Sequence, residues 1–202
     1  DYLNYGGENV ISVRVDASIE EGWFYEGAGI YRHVWLTKTV PLHVSEYGTF
    51  VTTDIIDDKA IVKIRTAIEN ESDINTKFEI IEKIIDPNGK VINQNTLKDL
   101  QLNSSEQEEF LTYHQIINPK LWSLETPYLH KLHTILKSDG KIIDDYETTF
   151  GIRTVRFDPD SGFFLNGKNI KILATIYHQD HAGVGTAIPD ALQEFRIKRL
   201  KE

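Results

Sequence analysis

Cysteine is absent from this chain. That excludes disulfides and thiolate metal sites, and it leaves the compartment open, since oxidising and reducing compartments both hold Cys-free domains. Methionine is absent too, including at position 1, as expected of an internal piece or a processed chain. Basic charge is in short supply: 22 Lys and Arg stand against 31 acids, for a net charge of −9. Nucleic acid is excluded as a partner, because phosphate binding needs a clustered basic surface. The densest basic stretch, Phe195 to Leu200, is expected to be a solvent-facing helix. No apolar run approaches the ~20 residues of a membrane helix, so no membrane partner is expected. The start, Asp1-Tyr2-Leu3-Asn4-Tyr5, has neither the basic nor the apolar block of a signal peptide.

What is present is alternation. Ala60, Val62, Ile64, Thr66 and Ile68 alternate with Lys63, Arg65 and Glu69, the pattern of a half-buried strand. Phe78, Ile80 and Ile84 continue it, with Lys77, Glu79 and Lys83 opposite. Asp86-Pro87-Asn88-Gly89 is a tight turn, in which Pro presets φ and Asn-Gly accepts positive φ. Further strands fall at about 107–117, 128–137 and 141–149, the last two joined by Ser138-Asp139-Gly140. About seven short strands with regular turns predict an antiparallel immunoglobulin-type sandwich over 41–150, held by apolar packing alone.

The flanks differ. Residues 9–16 and 30–37 read as two strands joined by the aromatic, glycine-rich loop 23–29, too few strands to bury a core. Phe163 to Leu165 and Ile170 to Ile172 flank Asn166-Gly167, a hairpin signal. An apolar run from Ile170 to Tyr177 then leads to a helix opened by Pro189. Strand, loop and helix form half of a βαβ unit. A strand of that kind is buried on both faces in a parallel barrel. The 1–40 segment or a second copy is expected to cover it, so a homo-oligomer is anticipated.

Five motifs carry a resemblance. Gly7 to Asp16 resembles the end of the jelly-roll sugar-binding domain of family 2 glycoside hydrolases. Gly27-Ala28-Gly29-Ile30-Tyr31-Arg32-His33-Val34-Trp35-Leu36 is similar to the G-x-G-I-Y-R-x-V-x-L signature that closes it. Leu121 to Leu129 resembles the family's L-W-S-P-E-x-P-x-L element, with Leu124 where Pro is usual. Phe150-Gly151-Ile152-Arg153, followed by Phe164-Leu165-Asn166-Gly167-Lys168, resembles the approach to a (β/α)₈ barrel. His178-Gln179-Asp180-His181-Ala182-Gly183-Val184-Gly185 is similar to the end of barrel strand 1 in a β-galactosidase-like branch.

The resemblance implies a mainly β chain: the end of a jelly roll at 1–40, an immunoglobulin-like β-sandwich at 41–150, and a linker hairpin with the first strand and helix of the barrel at 151–202. It implies a retaining glycosidase acting on terminal β-linked sugars, most of all β-galactosides, since the His-Gln-Asp-His run matches that branch. Both catalytic glutamates lie on later barrel strands in the family, so none is expected here and the chain alone should be inactive. Asn70-Glu71 mimics the family's acid/base dipeptide but reads as a solvated turn closing a sandwich strand.

His178, Asp180 and His181 sit where a barrel gathers its substrate. His178 matches the family histidine that faces the sugar; strand capping is the alternative for the group. Trp23, with Phe24 and Tyr25, suits either stacking on a sugar ring or burial at a domain junction. Trp35 and Trp122 are expected in the core. No metal site is expected: the His178-x-Asp180-His181 spacing fits no closed geometry, and His130 and His133, three apart on a strand, face opposite ways. A divalent or sodium ion in the longer family enzyme remains compatible with the resemblance. A free-standing immunoglobulin-like carbohydrate-binding or adhesion module is the competing reading, though it has no use for the histidine cluster or the helix.

Overall fold

A computed structural model of the chain describes residues 3–16, 18 and 29–202. These fall into two compact units, one of residues 37–173 and one combining 1–36 with 174–202.

The larger unit is the sandwich. One sheet holds β1 (Leu42–Ile56), β2 (Lys59–Asn70) and β5 (Glu106–Ile117) in the order β1-β2-β5. The other holds β3 (Thr76–Ile85), β4 (Val91–Leu102), β6 (His130–Ser138) and β7 (Lys141–Phe150) in the order β4-β3-β6-β7. Every pairing is antiparallel. Alternation does what the sequence predicts. Ala60, Val62, Ile64 and Ile68 of β2 face Ile80 and Ile84 of β3 and Leu132 and Leu136 of β6, all wholly buried. Each of these valine, leucine and isoleucine side chains removed from water contributes ~1.5–3 kcal/mol, which is how the sheets hold without a disulfide. The turn at Asp86–Gly89 closes as expected, with the Gly89 amide donating to the Asp86 carbonyl at 2.9 Å.

Beyond β7 the chain passes beneath Trp122. Gly151 is required there, because a Cβ on it would lie 2.8 Å from the Trp122 Cβ. A small third sheet follows, built from β8 (Val155–Asp158), β9 (Gly162–Leu165) and β10 (Lys168–Asn169). The Asn166-Gly167 hairpin forms, but its second strand is Lys168–Asn169 and not the predicted Ile170 to Ile172.

The smaller unit departs from expectation. No strand is present at 9–16 or 30–37, and none over 170–177. These segments have strand composition, yet no backbone ladder pairs with them among the described residues, and a strand exists only as part of a pair. Trp35, expected in the core, is 81% exposed. Ile172, Leu173 and Ile176 are exposed as well. The predicted helix forms as α1 (Asp190–Lys201), with Pro189 at its N-cap and Asp190 in its first turn, where a carboxylate complements the helix dipole.

Candidate functional site

The segment that carries the predicted substrate contacts ends in a closed turn. The His181 amide donates to the Gly185 carbonyl at 3.1 Å, and the Gly185 amide returns a bond to the His181 carbonyl at 3.0 Å. Gly183 and Gly185 take φ of +88° and +60° to make it, values that side chains disfavour. The His181 Nδ1 donates to the Ala182 carbonyl at 2.8 Å, leaving Nε2 as the ring nitrogen outside this turn. Asp180 and His181 are half-buried and His178 is exposed. Imidazole and carboxylate groups on such a turn can accept and donate hydrogen bonds to sugar hydroxyls. Trp23 lies outside the described residues. No three His, Asp or Glu side chains gather as a metal-binding group among the described residues.

Arg196 of α1 is a feature the sequence reading missed. It was expected on a solvent-facing basic helix face, but it is half-buried. Its Nη2 donates to the Asp180 carbonyl at 2.9 Å, and its guanidinium lies 3.7 Å from the Tyr177 ring centroid. It therefore grips the chain on either side of His178. Leu192, Gln193 and Arg196 are the half-buried residues of α1, and their three- and four-residue spacing was the available signal. The remainder of the basic stretch is solvated as expected, with Lys198 and Arg199 paired to Glu194 and Glu202. In the same unit, His33 of the predicted jelly-roll signature pairs with Asp190 at 3.0 Å.

The acid/base look-alike is structural, and it is not a solvated turn. Asn70 is wholly buried at the end of β2. Its Nδ2 donates to the carbonyls of Ile74 at 2.8 Å and Asn103 at 2.9 Å, and its Oδ1 accepts from the Ser72 hydroxyl at 2.7 Å. Glu71 is exposed beside it.

Polar chemistry also lies inside the sandwich. Glu82 is 1% exposed on the inward row of β3, where Phe78, Ile80 and Ile84 are its neighbours. Its carboxylate accepts from Thr112 at 2.6 Å, from His114 Nε2 at 2.9 Å and, more weakly, from Thr66 at 3.5 Å. The Asn93 amide donates to the Gln115 carbonyl at 2.8 Å, which turns its Oδ1 toward His114 Nδ1, 3.0 Å away. Both ring nitrogens of His114 are thus hydrogen-bonded, one to the Glu82 carboxyl and one to the Asn93 amide. No substrate reaches this pair, which joins the two sheets through β2, β3, β4 and β5. On β6, His130 is buried and His133 faces outward to Asp145 at 3.1 Å, on opposite sides as predicted.

Comparison with known proteins agrees with this architecture. The profile of glycosyl hydrolases family 2 matches residues 42–153, which span β1 to β7. The β-galactosidase BoGH2A of Bacteroides ovatus is 36% identical over all of this chain and 24% of its own length. A glycosyl hydrolase family 2 member from Bacteroides cellulosilyticus superposes with a TM-score of 0.81 at 34% identity, over 88% of this chain and 23% of that one. A β-glucuronidase 2 of Bacteroides uniformis, solved covalently bound to cyclophellitol-6-carboxylate aziridine, gives 0.77 at 30% identity, over 86% and 22%. The chain spans about a quarter of the length of the relatives it matches. With the family profile lying on the sandwich and the likeness running through both flanks, this chain belongs to family 2 of the glycosyl hydrolases.

Proposed function

We propose that this chain is the scaffold part of a retaining glycoside hydrolase that cleaves terminal β-linked sugars, β-galactosides first, and that the catalytic carboxylates lie elsewhere in the enzyme. The observation that carries the reading is the family match over 42–153 in a chain a quarter as long as its relatives. A retaining mechanism needs two carboxyl groups about 5–5.5 Å apart, one of them forming a covalent intermediate. Asn70-Glu71 is read as structural and not as the acid/base, with Asn70 held in buried bonds within the sandwich and Glu71 exposed beside it. Residues 1–40, 41–150 and 151–202 serve as the end of a jelly roll, the bracing sandwich and the start of the barrel. His178, Asp180, His181 and Trp23 contact the sugar. Arg196 supports this by holding the Asp180 backbone and the Tyr177 ring.

The likeness to a protein named as a β-galactosidase favours galactosides, and the likeness to a β-glucuronidase makes glucuronides the second reading. The exposed Ile172, Leu173 and Ile176 are compatible with a homo-oligomer, which sedimentation of the chain checks. The decisive experiment assays aryl β-galactosides and aryl β-glucuronides with the 202-residue chain and with a longer product of the same gene. The chain alone is expected to be inert, and the longer product to turn over the galactoside and to lose activity on His178→Ala. Turnover by the homogeneous chain, abolished by changing one of its own acids, overturns the proposal.

A further inference from the structure

A cavity of about 350 Å³ opens at one end of the sandwich, lined by Asp86, Ile92, Gln115, Ile116, Asn118, Pro119, Lys120 and His130 among others. That volume lies in the range of small-molecule sites, and its lining is about as polar as apolar, with an isoleucine and proline wall facing several convergent polar groups. Asp86 comes from the turn between β3 and β4, Lys120 from the loop after β5, and His130 from the first residue of β6. The cavity therefore sits where three chain segments meet. Arg153 and Val155, where the chain leaves β7 for the small sheet, do not line it.

His130 is 1% exposed, and its Nδ1 is buried with no hydrogen-bond partner among the described residues. Most buried polar atoms of native proteins are paired, so this imidazole nitrogen is an exception, enclosed behind the cavity wall and out of a ligand's direct reach. Burial pushes this imidazole below its ordinary value, which keeps it neutral near pH 7. Asp86 is held below the usual carboxylate range, first by the Lys90 amide, so it is ionised. Its Oδ1 accepts from the amides of Asn88 and Lys90, both at 2.9 Å, whereas its Oδ2 has only the Asn88 side chain, at 3.5 Å. Lys120 is exposed, with its ammonium above the Tyr128 ring.

These charges select the ligand. One cation and one anion with a neutral imidazole make a site of zero net charge. A free anion meets the Asp86 carboxylate, and a free amine meets Lys120. A zwitterion would have to separate Asp86 and Lys120, whose charges already act on each other. An uncharged polyol needs both donors and acceptors at close quarters, which Lys120, Asp86, Gln115 and Asn118 provide. The C–H face of a pyranose suits the wall of Ile92, Ile116 and Pro119.

We infer that this cavity is a second, non-catalytic binding site for a neutral sugar, built by Asp86, Lys120 and His130 at the end of the sandwich. It stands independently of where the catalytic carboxylates lie, so its failure leaves the proposed hydrolase untouched.

The test is an NMR titration of the 202-residue chain with methyl β-D-galactopyranoside, using sodium sulfate and alanine as the anion and zwitterion probes. The expected result is a saturable shift of the His130 imidazole resonances, with a Kd on the order of 1 mM, a typical weak affinity. Lys120→Met, a change at an exposed position, should weaken it at least ~10-fold, a difference of about 1.4 kcal/mol, while the rest of the spectrum stays folded. The inference is overturned by any of three outcomes: shifts that never saturate, shifts indifferent to Lys120→Met, or sulfate or alanine binding the same residues more tightly than the sugar.

Discussion

Replacing His114 by Leu should be among the most damaging single changes available to this chain. It strips Glu82 of its His114 partner while leaving the carboxyl group between two sheets, 1% exposed. The acid keeps Thr112 at 2.6 Å and the distant Thr66 hydroxyl, which do not neutralise it. Breaking a buried ion pair by removing one member costs ~3–5 kcal/mol, because the remaining charge has lost its solvent and its partner. For a unit of this size each kcal/mol lowers Tm by roughly 3–4 °C, so a fall of about 10–20 °C is expected.

Glu82→Met should behave similarly, leaving His114 and two threonine hydroxyls facing a thioether. The double change differs in kind. With both charges gone and apolar side chains in place, the desolvation penalty vanishes, and such replacements run from neutral to stabilising by ~1–4 kcal/mol. The double variant should therefore recover at least half of what either single change loses. Urea unfolding of the four proteins at neutral pH, followed by circular dichroism, gives the cycle directly. The reasoning is refuted if the single changes cost under ~1 kcal/mol, or if the double variant loses the sum of both.

Three further outcomes are expected. Gly151→Ala brings a methyl group to 2.8 Å from Trp122 and should cost ~1–3 kcal/mol in the same unfolding assay; a neutral result would mean that the indole simply moves aside. Buried neutral His130 has a folded pKa below its unfolded value of about 6.5, so below that pH the unfolded chain takes up a proton that the folded chain refuses. Stability should fall as the pH drops through that window, and His130→Gln should flatten the wild-type slope there; parallel slopes in urea titrations would exclude the effect. Limited proteolysis should trim the chain to a fragment of about 42–169, and a protected fragment centred on either end would contradict that.

The sandwich was legible because its strands obey parity. Ala60 to Ile68 and Phe78 to Ile84 keep apolar residues in step, and the pleat turns that into a buried face. Glu82 and His114 sit on the same inward parity as their apolar neighbours, so their burial was readable in principle; treating charge as a mark of exposure hid it. Asn70 deceived for a related reason, since an Asn-Glu pair at a strand end looks solvated until the carbonyls of Ile74 and Asn103 are seen to need a donor. The flanks failed differently. Residues 9–16, 30–37 and 170–177 have strand composition, but composition cannot say whether a partner backbone is at hand. Trp35 shows the same limit: an indole is drawn inward only if an inside exists for it. In the site, the turn at 181–185 could be anticipated from its glycines. The reach of Arg196 back to Asp180 could not, because it depends on where α1 lies within its unit.

The two Asn-Gly turns will not grow old alike. An asparagine before glycine loses ammonia when the glycine nitrogen attacks its side-chain carbonyl carbon, giving a succinimide that opens to aspartate or isoaspartate. At Asn166 the carboxamide is tied at both ends, Oδ1 to the Thr154 amide and Nδ2 to the Trp122 carbonyl, each at 3.0 Å, so its carbon cannot swing toward Gly167. At Asn88 the side chain is exposed and has only the 3.5 Å contact to Asp86. Stored protein should accumulate its first new negative charge at residue 88, in the turn that borders the His130 cavity, and peptide mass mapping of aged samples should find residue 166 intact after residue 88 has begun to convert.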